Sequence, residues 1–347
     1  MPKKRSGNAT IADVAREAGV GVMTASRVVN GGKYVSAETA ARVRSAIAKL
    51  SYEPNEAARV LKGKSPRLIG LMVPNLADPF FSACAHGVQL MAATYGFRTL
   101  LFACEGNVDS EAEEIGMMKS RGVAGLLIVP SRVDSVDPLK ELRERGIPII
   151  MLDRTLPGLD AGEVMVENFE GAQKAVNHLV EHGHQRILCV GYDSQFNSIG
   201  QRVAGYERAM ADAGLKAEVL VVDEKTSVAR RVLQRLRSQP PVTALFTLNN
   251  VTTIQVLQTL QRENIQVPQE VAIIGFDDFE LASLLAAPLT AVSQPAVALG
   301  RSGTQLLIDL IRSDAAEASK KSPRMLLPTE LIIRRSCGCE PPPQRQD

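Results

Sequence analysis

Several residue types are scarce in this sequence. It contains no tryptophan, only 4 % of its residues are aromatic, and its five cysteines are an odd number. An odd set at positions 84, 104, 189, 337 and 339 does not form a disulfide framework. No apolar run approaches the roughly 20 residues of a membrane span, and Met1-Pro-Lys-Lys-Arg5 lacks the apolar core of a signal peptide. We therefore expect a cytoplasmic protein without a membrane partner.

Catalytic and nucleotide-binding motifs are also missing. There is no Walker A loop, no G-x-S-x-G and no H-E-x-x-H. Gly70, Gly191 and Gly275 stand alone and make no dinucleotide fingerprint. The sequence gives no support to an enzyme, and no cofactor is expected.

Two groups of metal-ligand residue types occur, and neither predicts a metal site. His178 and His182 share a helix face, but no cysteine or carboxylate follows at a useful spacing, and His184 comes after a glycine at the start of a strand. Cys337-Gly-Cys339 lies in a C-terminal tail with no helix to activate a thiol. Structural roles are expected for these residues.

Length and charge indicate a divided protein. The 347 residues are too many for one small domain and suggest two or three. Residues 1–67 carry 13 Lys and Arg against 5 Asp and Glu, whereas the remainder carries 27 against 33. A basic head on an acidic body is typical of a nucleic-acid reader with a separate sensing body.

Residues 10–30 have the pattern of two short helices joined by a turn. Thr10 and Asp13 stand three residues apart, as in a capping box that satisfies the first backbone N–H groups of a helix. Gly19 permits the backbone reversal that ends this helix. A third helix, capped by Ser36, is expected to close a small core with Val43, Ile47 and Leu50.

The second of these helices has the residues of a DNA-reading helix. It offers Val22, Ala25, Val28 and Val29 for packing, and its other face carries Met23, Thr24, Ser26, Arg27 and Asn30. Arginine reaches phosphates and guanine edges, Ser and Asn donate and accept, and Met and Thr contact thymine methyl groups. A helix-turn-helix is therefore predicted. Two packed helices of an ordinary bundle are the alternative.

This stretch closely resembles the DNA-binding head of LacI-family transcription regulators, and the likeness continues beyond residue 330. Two departures are Gly21, where the family usually has a capping Ser, and Ala25, where Val is common. Glycine at a cap costs only a few tenths of a kcal/mol relative to Ser, so the helix should form. The matching segments are Thr10-Ile-Ala-Asp-Val-Ala15, Ala18-Gly-Val20, Ser26-Arg-Val-Val-Asn30, Val35-Ser36 and Leu50-Ser-Tyr-Glu-Pro-Asn55.

The resemblance implies a further DNA contact from residues 54–64. On their own they form a short, marginal helix with a glycine stop. In the family this is the hinge helix, which orders on the operator and places a leucine, here Leu61, between base pairs of the minor groove. Tyr34 and Ser36 are expected on the DNA backbone. The expected DNA-binding residues are Thr10, Val22, Met23, Thr24, Ser26, Arg27, Asn30, Tyr34, Ser36, Asn55, Ala58, Arg59 and Leu61.

From Arg67 onward, apolar strand-like runs alternate with amphipathic segments, which predicts parallel sheets covered on both faces. Two such sheets make two lobes, and the resemblance implies a body like a periplasmic sugar-binding protein. The expected fold is α/β: a small all-α head on a two-lobed body of parallel sheets. The runs are 68–73, 99–103, 125–129, 148–152, 187–191, 219–222, 244–248 and 271–276. The expected domains are a head at 1–53, a hinge helix and linker at 54–66, a first lobe at 67–163 with 294–323, and a second lobe at 164–293 with 324–337.

Ligands of parallel α/β folds sit beyond the carboxyl ends of the strands, where this sequence concentrates polar residues. Carboxylates accept from vicinal hydroxyls, an arginine donates as a planar fork, and a phenylalanine covers the apolar face of a pyranose. These groups suit a sugar, and the same donors with a stacked Phe also suit a purine. Two departures from the family pattern, Asp78 for Asn and Asn250 for Asp, leave the ligand open. The expected effector-binding residues are Phe80, Phe81, Asp153, Arg202, Asn249, Asp277 and Gln294.

The hypothesis from the sequence is a homodimeric transcriptional regulator, in the main interpretation a repressor. It binds a near-palindromic operator and responds to a small sugar-like effector. A corepressed regulator of the same fold that responds to a purine or another metabolite is the alternative. A transport sugar-binding protein would lack the basic head, and a two-lobed enzyme would need more than Asp153 and Asp277. The tail after Cys339 has no heptad repeat, so a C-terminal tetramer bundle is not expected.

Overall fold

The computed structural model describes residues 9–29, 35–52, 67–104, 108–130, 136–192, 196–222, 227–313 and 322–339. The chain divides into two compact units, Met1–Pro66 and Arg67–Asp347. The first is the head and the second is the body. Among the described residues, no helix is both long enough and apolar enough to cross a bilayer.

The head consists of helices α1 (Ile11–Ala18), α2 (Val22–Val29) and α3 (Ala37–Leu50). The predicted capping box is confirmed: Asp13 N donates to Thr10 Oγ1 at 3.3 Å, and Thr10 N donates to Asp13 Oδ2 at 2.9 Å. Gly19 ends α1 in the left-handed region at φ 61°, and Ser36 caps α3. These local signals fix both turns of the head.

Small side chains form the core of the head. Val14, Ala15, Ala18, Ala25, Val43 and Ala46 are buried, with Val28, Ile47 and Leu50 packed around them. Arg42 of α3 clamps the end of α1, because its Nη2 donates to the carbonyl oxygens of Ala18 and Gly19 at 2.6 and 2.9 Å. The expected packing role of Val22 is wrong: its side chain is 47 % exposed, because Ala25 and Val28 face the core.

The first lobe of the body is built on a parallel sheet in the order β11-β5-β4-β3-β1-β2. Its helices cover both faces and leave two apolar clusters, one on each side of the sheet. The strands are β1 (Leu68–Val73), β2 (Arg98–Ala103), β3 (Leu126–Ile128), β4 (Ile149–Leu152), β5 (Gly162–Val166) and β11 (Arg324–Leu327), and the helices are α4 (Pro79–Thr94), α5 (Val108–Arg121), α6 (Asp137–Glu144) and α11 (Ala296–Arg312).

Helices α4 and α11 pack backbone against backbone. A Cβ atom on Gly87 would collide with the carbonyl oxygen of Val297, and one on Gly300 would collide with that of Cys84. Glycine is required here by this close approach and not by backbone conformation. The contact joins a C-terminal helix to the first helix of the lobe.

The second lobe has a sheet in the order β12-β10-β9-β8-β6-β7, in which only β12 is antiparallel. Its helices again cover both faces. The strands are β6 (Ile187–Tyr192), β7 (Glu218–Val222), β8 (Ala244–Thr247), β9 (Ala272–Phe276), β10 (Thr290–Ser293) and β12 (Glu330–Ile332), and the helices are α7 (Asn168–Glu181), α8 (Asn197–Asp212), α9 (Val228–Leu236), α10 (Asn250–Arg262) and a 3₁₀ turn (Glu280–Leu284).

Strand pairing corrects two of the expected lobe boundaries. The limits at 163 and 323 are too early, because β5 pairs with β4 and β11 pairs with β5, so both belong to the first sheet. The chain changes lobe after Val166 and after Leu327. Strands β5, β10, β11 and β12 were not predicted, since β5 alternates in burial and β11 is largely exposed instead of forming a continuous apolar run.

The C-terminal segment brings together residues that the sequence kept apart. Cys339 Sγ lies 2.9 Å from His182 Nε2, and Cys337 Sγ lies 3.4 Å from His178 Nε2. The expectation that these histidines have no cysteine near them is therefore wrong. His184 lies apart from this group and contacts Thr243 Oγ1 at 3.0 Å.

Candidate binding sites

The cleft between the lobes begins with two carboxylates at equivalent strand ends. Asp153 directly follows β4 and Asp277 directly follows β9, and both are buried. Both also adopt left-handed backbone, with φ of 62° and 73°. This conformation is uncommon for residues other than glycine and clusters at ligand-binding positions. The two lobes thus present matched acidic groups at the edge where α/β ligands bind.

Arg202 of α8 organises the side of the second lobe. Its side chain is only 4 % exposed, and its Nε donates to Asn168 Oδ1 at 2.8 Å. Its Nη1 donates to the carbonyl oxygen of Leu248 at 2.7 Å and lies 3.5 Å from Asp277 Oδ2. The guanidinium carbon also lies 3.8 Å from the centroid of the Phe276 ring. Arg202 is therefore a fixed positive charge beside Asp277.

Two further groups donate hydrogen bonds to the Asp277 carboxylate. Gln294 Nε2 donates to Asp277 Oδ1, and the backbone N of Asn250 donates to Oδ2 at 3.4 Å. The carboxylate thus lies among donors from α8, α10 and the segment after β10. This arrangement orients the group and leaves the amide oxygen of Gln294, Oε1, buried without a hydrogen-bond partner among the described residues.

A hydrogen bond crosses the cleft. Asn250 Nδ2 of the second lobe donates to Asp78 Oδ1 of the first at 2.8 Å, and the same oxygen caps α4 through Phe80 N at 2.9 Å. Burial raises the pKa of Asp78. Asp78 and Asn250 are the two cleft positions at which the sequence analysis noted a departure from the family pattern, and here they are partners. The pair places an amide donor opposite a carboxylate acceptor.

Aromatic side chains line one end of the cleft. Phe80 borders a cavity of about 380 Å³ together with Asp277, Gln294 and Phe279. Phe81 instead packs in the core of the first lobe, with its ring 5.2 Å from that of Phe80. Of this pair, Phe80 is therefore the one placed to cover a ligand.

Arg154 is a second cation of the cleft, and its side chain is 19 % exposed. Its guanidinium carbon lies 5.4 and 4.2 Å from the ring centroids of Phe81 and Phe196, within the range of cation–π attraction. Its Nε lies 3.3 Å from Asp153 Oδ2, and its Nη1 donates to the carbonyl oxygen of Pro130 at 3.0 Å. Burial lowers the pKa of Arg154 and raises that of Asp153.

Three buried acceptors of the cleft have no hydrogen-bond partner among the described residues: Asp153 Oδ1, Asn250 Oδ1 and Gln294 Oε1. A buried polar atom left without a partner costs about 1–3 kcal/mol. Such atoms ordinarily mark a site for water or a ligand. All three are oxygens, so the missing partner is a donor.

The expected effector residues divide into three groups. Asp153, Arg202, Asp277 and Gln294 lie at the facing strand ends, and Phe80 borders the cavity beside them. The side-chain oxygen of Asn249 is committed to capping α10, since it accepts from Thr252 N at 2.8 Å, and Phe81 is in the core. The sequence reasoning missed Asp78, Arg154, Asn168 and Asn250 as cleft residues. For Arg154, the signal was its place directly after a strand.

The face of α2 that is expected to contact DNA is largely exposed. Met23 is 74 % exposed, Arg27 is exposed, and Thr24 and Ser26 are half-buried beside them. Thr10 and Ser36 are committed to helix caps, which leaves each hydroxyl at the start of a helix. Six expected DNA-binding residues lie outside the described residues: Asn30, Tyr34, Asn55, Ala58, Arg59 and Leu61.

Both units of the chain match the profiles of known protein families. Residues 10–55 match the profile of bacterial regulatory proteins of the lacI family, and residues 176–337 match that of the periplasmic binding protein-like domain. The HTH-type transcriptional repressor CytR of Escherichia coli is 30 % identical over 343 residues, which are 98 % of this chain and 99 % of that protein. The HTH-type transcriptional regulator DegA of Bacillus subtilis is 30 % identical over 94 % of this chain and 97 % of its own length.

Solved structures of transcriptional regulators are also similar to this chain. The lac repressor dimer bound to operator and the anti-inducer ONPF is similar with a TM-score of 0.82 at 25 % identity, over 95 % of this chain and 99 % of that one. The transcriptional regulator CelR in complex with cellobiose has a TM-score of 0.70 at 28 % identity, over 94 % and 99 %. A helix-turn-helix head, a two-lobed body and relatives matched over nearly their whole length lead to one conclusion: this chain belongs to the LacI family and is a DNA-binding transcriptional regulator.

Proposed function

We propose that this regulator is a cytoplasmic, homodimeric repressor whose operator affinity is lowered by a sugar bound between the two lobes of the body. The dimer places two heads on the half-sites of a near-palindromic operator. We choose a sugar as the effector because three buried acceptor oxygens of the cleft have no hydrogen-bond partner among the described residues.

Those acceptors favour a ligand rich in donors. Asp153 Oδ1, Asn250 Oδ1 and Gln294 Oε1 each need an N–H or O–H group. A sugar supplies one donor per hydroxyl, and neighbouring hydroxyls suit paired carboxylate oxygens. A purine offers few donors and leaves part of this set unmatched. The similarity to a regulator solved with cellobiose supports the same choice.

Arg202 and Phe80 complete the proposed sugar site. The Arg202 guanidinium, 3.5 Å away, holds the Asp277 carboxylate in place, so that it accepts from hydroxyls without reorganising. Phe80 covers the apolar face of the ring at the mouth of the cavity. A site of this kind combines a few fixed polar groups with an apolar wall, as small-ligand sites usually do.

The coupling to DNA runs through the arrangement of the two lobes. The Asp78–Asn250 hydrogen bond already joins them across the cleft, and a bound sugar adds contacts from both sides. We propose that the altered arrangement weakens operator binding by the two heads of the dimer. The expected hinge helix of residues 54–64, with Leu61, lies outside the described residues. Any ligand that lowers operator affinity in this way must itself bind less tightly to the operator complex.

Operator reading is assigned to α2, with Arg27 on base edges and Met23 and Thr24 on thymine methyl groups. Selection from a random duplex library with the full chain should enrich one near-palindromic motif. Arg27→Ala should weaken binding to that motif by about 1–3 kcal/mol, or roughly 5- to 150-fold. Lys49→Ala is the control, because Lys49 pairs with Glu17 at 2.6 Å and is not expected on DNA.

Fluorescence anisotropy on the selected operator then tests the effector. A panel of mono- and disaccharides should contain one that weakens operator binding and is recovered unchanged. A purine that tightens binding, with every sugar inert, would replace this proposal by the corepressed alternative. Binding without any enriched motif, with a steep salt dependence, would show that the head contacts phosphates alone and would overturn operator reading.

A further inference from the structure

A second cluster of ligand-type side chains lies far from the cleft. We call His178, His182, Cys337 and Cys339 the tail cluster. His178 lies ten residues along α7 from Asn168, the residue that contacts Arg202. At 1.5 Å per residue, this is roughly 15 Å from the cleft end of the helix. The cluster is thus separate from the proposed effector site.

The two halves of the cluster come from distant parts of the chain. His178 and His182 share a face of the C-terminal end of α7 because they are four residues apart. Cys337 and Cys339 follow β12 in the last described segment, where Gly338 adopts φ 95° between them. This turn, closed by a hydrogen bond from Gly338 N to the carbonyl oxygen of Arg335 at 3.0 Å, brings both thiols to the helix.

The distances fit a tetrahedral metal centre. Cys339 Sγ lies 3.3 Å from His178 Nε2 and 2.9 Å from His182 Nε2, and Cys337 Sγ lies 3.4 Å from His178 Nε2. Zinc–nitrogen and zinc–sulfur bonds of about 2.0 and 2.3 Å at a tetrahedral angle put N and S about 3.5 Å apart. The ligand atoms of His178, His182 and Cys339 all lie within 4.8 Å of one another. Cys337 Sγ is not part of that group of three and joins it through its approach to His178 Nε2.

Hydrogen bonding gives each group of the cluster a partner, but two of the bonds converge on one atom. His178 Nε2 faces two sulfur atoms, and a single proton or lone pair cannot be directed at both, while Cys337 Sγ donates to the carbonyl oxygen of Arg334 at 3.5 Å. An ion among the four side chains would be bound by all of them at once. Two imidazole nitrogens with two sulfurs in a tetrahedral set are typical of zinc.

Surrounding contacts orient the donors. His182 Nδ1 lies 2.8 Å from the carbonyl oxygen of His178, so Nδ1 carries the proton and Nε2 presents its lone pair toward Cys339. Thr290 Oγ1 donates to Cys337 Sγ at 3.1 Å and accepts from the backbone N of Arg334 at 2.8 Å. Metal-bound histidines and thiolates ordinarily have such outer hydrogen bonds.

We propose that the tail cluster binds one zinc ion through His178 Nε2, His182 Nε2, Cys337 Sγ and Cys339 Sγ, and so fastens the C-terminal segment to α7. Binding exchanges two thiol protons for the divalent ion and involves no change in oxidation state. All four positions are filled by the chain, which is the arrangement of a structural site and not of a catalytic one. The site does not depend on the proposed effector.

Cobalt titration of the full chain tests the proposal. Chelator-treated, reduced protein should take up one Co²⁺ per chain and develop the thiolate-to-cobalt charge-transfer band and the intense visible bands of a tetrahedral site. Stoichiometric Zn²⁺ should remove both. Cys339→Ser and His182→Gln should each weaken metal binding at least tenfold.

Matched controls separate the cluster from incidental binding. His184→Gln and Cys104→Ser remove the same residue types at positions outside the cluster, where His184 contacts Thr243 and Cys104 contacts Glu114. Both should retain the cobalt spectrum of the parent chain. Zinc should also raise the Tm of the parent and of both controls by several degrees, and that of Cys339→Ser by less than one degree.

Three results would overturn the proposal. The first is a cobalt spectrum without thiolate charge transfer in the reduced parent chain, whose five thiols are verified by titration. The second is an unchanged spectrum in both Cys339→Ser and His182→Gln. A Cys337–Cys339 disulfide that re-forms under reducing conditions and excludes metal, seen by mass spectrometry, would also contradict a zinc site.

Discussion

Replacing Arg202 with alanine is the perturbation that most directly tests the architecture of the cleft. The change removes the guanidinium that donates to Asn168 Oδ1 and to the carbonyl oxygen of Leu248, at 2.8 and 2.7 Å. It also removes the arginine partner of the Asp277 carboxylate, 3.5 Å away. Both members of this ion pair are less than a tenth exposed, so water cannot readily replace the lost partner.

The expected cost is large. Hydrogen bonds to a charged group contribute about 1.5–3 kcal/mol each, and breaking a buried ion pair by removing one partner costs about 3–5 kcal/mol. These contributions overlap, so we expect Arg202→Ala to lower the free energy of unfolding by about 3–5 kcal/mol. Urea denaturation followed by circular dichroism measures it.

Arg208→Ala is the matched control. Arg208 lies on the same helix and pairs with Asp212 at 2.9 Å, but its side chain is 62 % exposed. An exposed pair contributes about 0–1 kcal/mol, so this variant should differ little from the parent. The double variant Arg202→Ala with Asp277→Asn should lose less than the sum of the two single losses, because no unpaired charge remains. A loss below 1 kcal/mol for Arg202→Ala, or strict additivity, would contradict a stabilising role for the buried Arg202–Asp277 pair.

Three further substitutions test the cap of α1, the burial of Asp153 and the packing of α4 on α11. Thr10→Ala should destabilise the head by about 1 kcal/mol, seen as faster hydrogen exchange of α1 amides, and exchange unchanged from the parent would contradict the capping box. Burial raises the pKa of Asp153, so its ionised form is penalised in the folded state and stability falls as pH rises above about 4, the unfolded pKa. Asp153→Asn, in which the asparagine also tolerates the left-handed backbone, should therefore have a higher Tm than the parent at pH 7, and this difference in Tm should shrink toward pH 4. The variant should also lose the sugar response. An equal difference in Tm at both pH values would contradict this expectation. Gly300→Ala should lower the free energy of unfolding by about 1–3 kcal/mol, because the new methyl group forces α4 and α11 apart. Gly116→Ala is the control and should not lower it, since a Cβ at Gly116 meets nothing within 4 Å. Equal stability of the two variants would contradict the close helix packing.

The head was predictable because its signals are local. The capping box of Thr10 and Asp13, the turn at Gly19 and the cap at Ser36 each depend on residues within one turn of a helix. The exposure of Val22 was not predictable in this way, because it depends on how α2 packs on α1 and α3. The alternation of apolar runs and helical segments likewise indicated the parallel sheets, since buried parallel strands are continuously apolar.

Features that depend on distant parts of the chain could not be predicted. Strand β11 is exposed and pairs with β5, about 160 residues earlier, so neither pattern nor composition marked it. The hydrogen bond between Asp78 and Asn250 joins residues that appeared only as two separate departures from a family pattern. Cys339 and His182 are also far apart along the sequence, so their contact could not be predicted, and the spacing of the histidines alone argued against a metal site.

The proposed function requires that one ligand in the cleft and one operator on the head are linked through the same two arrangements of the body. Titration calorimetry at one salt concentration measures operator affinity with and without the active sugar, and sugar affinity with and without the selected operator. We expect the sugar to weaken operator binding and the operator to weaken sugar binding by the same factor. A sugar affinity unchanged by saturating operator would contradict it, because the two sites would then be independent.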